Sequence, residues 1–165
     1  MTCEPSDPAR FRRVMGKFAT GVTVVTWLRE GTPAGMTANA FMSVSLEPQL
    51  VLVSARNASR FSASMAVGDS FAINFLGEHQ EALSSHFGGR ATEGLGEMAR
   101  RDCGTPFLPE SLAHLIVRVN AIHPAGDHQL YVADVRALEE NDAVAPLLYY
   151  GGRYGRLAGP QACRT

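Results

Sequence analysis

Three short stretches carry side chains that could do chemistry. In Gly35-Met36-Thr37-Ala38-Asn39-Ala40-Phe41-Met42-Ser43-Val44-Ser45, Thr37, Asn39, Ser43 and Ser45 share one parity with Phe41, while Met36, Ala38, Ala40, Met42 and Val44 share the other. Side chains alternate between the faces of a strand, so a single strand over Met36–Leu46 would be half-buried, with an uncharged second face of hydroxyls and an amide. Such a face suits a flat, polar, hydrogen-bonding ligand; an exposed Thr/Ser strand without a ligand is the plainer alternative. The second stretch, Asn57-Ala58-Ser59-Arg60, follows the apolar run Leu50–Val53. Asn57 can cap a helix over Ser59–Val67, with Phe61 and Met65 on its buried face and Gly68 at its end. A capped helix start offers free amide hydrogens and partial positive charge, to which Ser59, Arg56 and Arg60 add donors suited to a phosphate. Solvated arginines at an ordinary helix start are the competing account. The third is His128 in Gly126-Asp127-His128, an imidazole that either bonds its neighbour in a turn or positions a ligand.

Several kinds of chemistry lack their equipment. His79, His86, His114 and His123 show no metal-ligand spacing with carboxylates or cysteines, and no Gly-x-Ser-x-Gly nucleophile signature occurs. His86 follows Ser84 and Ser85 near Gly88-Gly89 and could line a cofactor mouth, although a surface helix is the simpler reading. Gly94-Leu95-Gly96 lacks a third glycine and follows no strand, so it fails as a dinucleotide fingerprint. Fifteen basic residues are scattered among sixteen acidic ones for a net charge of −1, which leaves no stripe for nucleic acid. Cys3, Cys103 and Cys163 fit neither a disulfide framework nor a zinc set, and reduced thiols in a cytoplasm are expected. Met1–Arg10 lacks the apolar core of a signal peptide, and no run approaches membrane-spanning length.

The elements that must position these groups are mostly strands. With 165 residues, 45% of them hydrophobic, the chain can build one core. Asp7 can cap a helix with Pro8 in its first turn, and Phe11, Val14, Met15 and Phe18 make one apolar stripe, expected to face the core, before Gly21 stops it. Strands are expected at Thr20–Leu28, Met36–Leu46, Leu50–Ser54, Ser70–Leu76, Leu115–Ile122, Gln129–Leu138 and Leu147–Tyr150, with short helices at Ser59–Val67 and Gln80–Phe87. Seven strands with few helices suggest a closed or sandwiched antiparallel sheet. Gly88–Phe107 reads as a mobile loop of a length that often covers a site.

Five segments in order then resemble one family. They are Phe11-Arg12-Arg13-Val14-Met15-Gly16-Lys17-Phe18-Ala19-Thr20-Gly21-Val22-Thr23-Val24-Val25-Thr26, the Gly35–Ser45 run, Pro48-Gln49-Leu50-Val51-Leu52-Val53, Gly126-Asp127-His128, and Pro146-Leu147-Leu148-Tyr149-Tyr150-Gly151-Gly152-Arg153-Tyr154. The chain from about Phe11 to Leu157 resembles the short flavin reductases, the reductase components of two-component flavin-dependent monooxygenases. That resemblance implies a mainly β chain in a Greek-key split β-barrel of the FMN-binding type, with a few short helices. Residues 11–157 would form the domain, between tails at 1–10 and 158–165. It also implies a homodimer with flavin near the subunit interface, FMN or FAD as flavin, NADH or NADPH as hydride donor, and a separate monooxygenase as partner. Flavin contacts would fall on Thr37, Ala38, Asn39, Ala40, Ser43, Ser54, Ala55, Asn57, Ser59, Arg60, Tyr150 and Arg153, with the phosphate at the Asn57–Arg60 turn. His128 would lie on the nicotinamide side as the catalytic position. The chain departs from the family's habit at Ala40, often Ser, at Phe61, often a hydroxyl residue, and at Gly151, often Arg. Other flavin chemistry on the same barrel, or flavin sensing without turnover, are the alternative functions.

Overall fold

The computed structural model describes residues 7–100, 104–142 and 145–158. In chain order these form α1 (Pro8–Met15), β1 (Thr20–Gly21), β2 (Thr23–Arg29), β3 (Thr32–Ala38), β4 (Phe41–Leu46), β5 (Gln49–Arg56), β6 (Ser70–Phe75), α2 (Glu81–Phe87), β7 (Ala99–Arg100), β8 (Pro106–Phe107), β9 (Ala113–Ala125), β10 (His128–Glu140), β11 (Leu148–Tyr150) and β12 (Arg153–Gly155). A 3-10 turn at Glu78–Gln80 leads into α2. The three cysteines and the end of the expected tail at 158–165 lie outside the described residues. No described helix is long and apolar enough to cross a membrane.

The main sheet is antiparallel with the order β3-β2-β6-β9-β10-β5-β4. Its two outermost strands, β3 and β4, are consecutive in the chain and joined by Asn39 and Ala40 alone. So short a link reaches only about 10 Å, so the sheet must curl until its edges meet at that corner. No ladder joins β3 to β4 among the described residues, and the barrel is therefore split along that seam. The expected continuous strand Met36–Leu46 is thus corrected to two strands with different neighbours, β2 for the first and β5 for the second. A bulge between Ser43 and Ser45 shifts the parity again. One long uncharged face does not form.

The barrel is filled by inward residues of alternate parity, among them Val25 and Trp27 of β2, Val51, Val53 and Ala55 of β5, and Tyr131 and Ala133 of β10. At their centre is Phe61, fully buried, with ring centroids 5.2 Å from Trp27, 5.1 Å from Phe71 and 4.9 Å from Tyr131 in edge-to-face arrangements. Phe61 sits on a succession of turns that replaces the helix expected over Ser59–Val67. The turns are tied by Ala63 N–H to Ser59 C=O and Met65 N–H to Phe61 C=O. The turns set the Phe61 ring among Trp27, Phe71 and Tyr131 in the core, where a regular helix was expected.

A second cluster, Val22, Val24, Leu76, Leu108 and Leu147, lies outside the barrel, with Phe87, Met98, Tyr149 and Tyr154 packed against it. Buried Asn74 donates to Val24 C=O and Thr26 Oγ1 and accepts from Leu108 N–H, while Thr26 donates to Pro106 C=O. The expected loop over Gly88–Phe107 is therefore anchored at its far end, and it carries β7 and β8. The expected core-facing helix is also corrected. Asp7 caps α1 by accepting from Ala9 N–H, but the helix stops at Gly16, and Phe11, Val14, Met15 and Phe18 are each more than half exposed.

Candidate functional site

The Asn39–Ala40 corner lies between two hollows. One, of about 850 Å³, is walled mostly by apolar atoms of Phe18, Ala40, Phe41, Met42, Leu52 and Tyr149, with Thr20, Asn39 and Ser54 among its polar contributors. The other, of about 650 Å³, is polar, lined by Thr37, Asn39, Glu81, Ser84, Ser85 and Arg90, with Tyr149 and Tyr154. Only Asn39 and Tyr149 belong to both walls. An apolar hollow of this size with a few polar groups is the usual form of a small-molecule site, and its lining suits an aromatic ring system.

The corner is held by the backbone. Ser54 N–H donates to Ala40 C=O at 2.9 Å, and Thr23 Oγ1 donates to the carbonyl of buried Ala38. Thr37 Oγ1 donates to Ser84 C=O at 2.7 Å, so this hydroxyl fastens α2 to β3. Ser84 Oγ shares a 2.8 Å hydrogen bond with Tyr154 OH, and the rings of Tyr154 and Tyr149 meet edge to face at 5.4 Å.

Directly paired residues of adjacent strands point to the same side, so Leu52, Ser54 and Arg56 of β5 share the outer face with Val132, Leu130 and His128 of β10. The apolar hollow opens onto this face at Leu52 and Ser54. Two residues further on, Arg56 stands opposite His128. The Gly-Asp-His sequence proves to be the β9–β10 hairpin: Gly126 has φ +64°, the conformation a tight two-residue turn demands, and His128 opens β10. His128 Nδ1 and Asp127 Oδ1 are 2.7 Å apart. The hydrogen bond from His128, then its charge and more weakly that of Arg56, hold the Asp127 carboxyl below the usual carboxylate range. Asn57 joins this turn, its N–H donating to Asp127 C=O at 3.0 Å and its Nδ2 to Gly126 C=O at 3.2 Å.

Asn57 therefore does not cap a helix; Ser59 does the local capping, its Oγ accepting from Ser62 N–H at 3.0 Å. Of the residues expected to touch a ligand, Thr37, Asn39, Ala40 and Ser54 line the hollows. Asn57 and His128 meet at the β9–β10 turn beside Arg56, Ser59 N–H donates to Arg56 C=O, and Arg60 is exposed and lines neither hollow. Ala38 and Ala55 are buried. Ser43, and the exposed pair Tyr150 and Arg153 opposite each other on β11 and β12, line neither hollow. Phe61, expected where a phosphate-binding hydroxyl would be, is in the core. Of the other lining residues, Tyr149 and Tyr154 belong to the Tyr-Tyr-x-Gly-Arg-Tyr run that the family resemblance sets close to flavin and nucleotide, whereas Ser84 and Thr20 carry no such expectation. The sequence signal for these two is only a serine pair on a short helix and a threonine before Gly21, patterns that core packing equally produces. No group of three or more His, Cys, Asp or Glu that could hold a metal occurs among the described residues.

Comparison with known proteins matches residues 15–158 to the family described as "Flavin reductase like domain". An NADH-dependent flavin reductase of a Rhodococcus species is 41% identical over 155 residues, covering 91% of this chain and 86% of that protein. The reductase subunit HsaB of a flavin-dependent monooxygenase from Rhodococcus jostii RHA1 is 36% identical over 156 residues, 93% of this chain and 80% of its own length. Among solved structures, the NADH:FAD oxidoreductase SgcE6 of Streptomyces globisporus C-1027, in complex with NAD and FAD fragments, superposes with a TM-score of 0.88 at 32% identity, covering 98% of this chain and 99% of that one.

Proposed function

Because the chain belongs to the flavin reductase-like family, we propose that it is an NAD(P)H-dependent flavin reductase that passes reduced FMN or FAD to a separate monooxygenase. The observation that carries this reading is the apolar hollow at the Asn39–Ala40 corner, whose mostly apolar lining and few polar groups match an isoalloxazine ring. Phe41, Met42, Leu52 and Tyr149 would sandwich the ring, and Asn39, Ser54 and the backbone around Ala40 would meet its polar edges. The ribityl chain would leave along the outer face of β5 toward Arg56, Asn57, Ser59 and Arg60, where charge-assisted donors suit a phosphate. When bound, flavin accepts at N5 the hydride that nicotinamide C4 gives up. The protein's task is placement, because such a transfer depends on two stacked rings held close. His128, half-exposed on the same face and braced by Asp127, would steer the nicotinamide nucleotide.

NADH is the donor named for the Rhodococcus relative, and it is the first choice for this chain. The stripe of α1 and Met42, Val44 and Leu46 of β4 are exposed apolar side chains, and Met15, Phe18 and Met42 among them reach the wall of the hollow. A second copy of the chain would cover it, giving a homodimer with flavin near the interface. We place the protein in the cytoplasm, beside the reduced nucleotide it would consume. The deciding experiment follows NADH and NADPH oxidation with FMN, FAD or riboflavin added to purified protein. Oxidation should depend on flavin, and FMN should be used at lower concentration than riboflavin if the Arg56–Arg60 turn receives the phosphate. A folded protein that no flavin stimulates would refute the reading.

A further inference from the structure

On the wall of the polar hollow, the side chains of Asn39, Glu81, Ser85 and Arg90 make no hydrogen bond or ion pair among the described residues. Thr37, Ser84 and Tyr154 of the same wall are engaged with one another, Thr37 Oγ1 with Ser84 C=O and Ser84 Oγ with Tyr154 OH. The hollow therefore combines a fixed frame with an unengaged set of polar groups. Glu81 and Arg90 are exposed and Asn39 and Ser85 half-buried, so all of them can be reached from solvent.

The unengaged groups are also held in place. Glu81 opens α2 and Ser85 follows four residues later, on the same side of the helix, which Ser84 fastens to β3 and β12. Arg90 lies just past the helix end, its N–H donating to Ser85 C=O at 3.0 Å and its C=O accepting from Thr92 Oγ1 at 3.3 Å. Thr92 N–H in turn donates to His86 Nδ1 at 3.0 Å. A guanidinium and a carboxylate that line one hollow without pairing leave room for a ligand that satisfies both. The guanidinium fork suits a phosphate, the carboxylate accepts from hydroxyls, and Ser85 and Asn39 can serve either. A ribose joined to a phosphate presents both kinds of group.

Resting on the flavin reading above, we propose that the polar hollow seats the ribose-phosphate tail of the hydride donor, with Arg90 on a phosphate and Glu81 on ribose hydroxyls. The two hollows share Asn39 and Tyr149, so a nicotinamide ring stacked on flavin in the apolar hollow has the polar one beside it for its tail. The flavin's own phosphate is assigned to the Arg56–Arg60 turn, none of whose residues lines the polar hollow. That leaves this hollow to the second substrate.

The test is steady-state NADH oxidation at saturating FMN, with ADP-ribose, the donor's tail without its nicotinamide, as inhibitor. Fluorescence titrations with FMN and FAD accompany it. ADP-ribose should compete with NADH in the wild type. Arg90→Ala should raise the NADH KM and the ADP-ribose Ki together, about five- to thirtyfold, and Glu81→Gln about two- to tenfold. Arg90→Lys, which keeps the charge without the fork, should recover part of the loss. The Kd of both flavins should stay within about twofold of the wild type, since their ring and phosphate contacts are elsewhere. An unchanged NADH KM in Arg90→Ala overturns the proposal, as does a wild type that ADP-ribose does not inhibit. A rise in flavin Kd also overturns it, by giving the hollow to a flavin's tail. A folded wild type without flavin-dependent NADH oxidation would instead refute the flavin reading on which the proposal rests.

Discussion

His128 owes its place to a hairpin turn. Gly126 supplies the positive φ, Asp127 the bracing carboxylate, and the antiparallel register sets the imidazole opposite Arg56 on the face onto which the apolar hollow opens. If it steers the nucleotide, His128→Ala should cost about 1–3 kcal/mol in kcat/KM for NADH and leave the flavin Kd nearly unchanged. Steady-state kinetics beside a flavin titration separate the two, and unaltered kinetics would reduce His128 to a turn residue. The motif could be read from sequence because glycine, a short polar residue and the start of a strand form a local pattern. Asn57 could not be read in the same way. Its type suits a helix cap, but its partners are the backbone carbonyls of Gly126 and Asp127, far away in the chain, and only the fold brings them within reach. Phe61 shows the same limit, since nothing local distinguishes a ring beside a ligand turn from one that plugs a barrel.

Most strands announce themselves by composition, and β5, β6, β9 and β10 lie within a few residues of their expected bounds. The failures occur where an element's fate depends on its neighbours. Alternation over Met36–Leu46 is genuine in sequence, yet the chain changes partners at Asn39–Ala40, and parity cannot record a change of partner. The stripe on α1 is equally genuine, but the described chain provides no surface to bury it. Between β3 and α2 the packing is tight, because a Cβ at Gly35 would stand 2.6 Å from the ring of Phe87. Gly35→Ala should therefore push α2 away from β3, disturb the Thr37–Ser84 bond and destabilise the protein by about 1–3 kcal/mol. Urea denaturation measures this, and an unchanged midpoint would show that Phe87 moves aside freely.

At the scale of the molecule, a monomer leaves apolar side chains of α1, of the segment after it and of β4 in water, with Leu46 81% exposed and Phe18 72%. Light scattering should report twice the 17.7 kDa chain mass, and Val14→Asp, outside both hollows, should shift the population toward the single chain. A wild-type protein of single-chain mass at micromolar concentration would remove the dimer and the interface-built flavin site with it. The curled sheet and its Asn39–Ala40 corner also bear on how the protein comes into being. The apolar hollow takes its wall from β1 and β11 of the small sheet and β5 of the main one as well as from the Asn39–Ala40 link, so it exists only after segments remote in sequence have met. A half-formed chain has no slot to offer, and a ligand seated there favours the completed barrel alone over every partly assembled form.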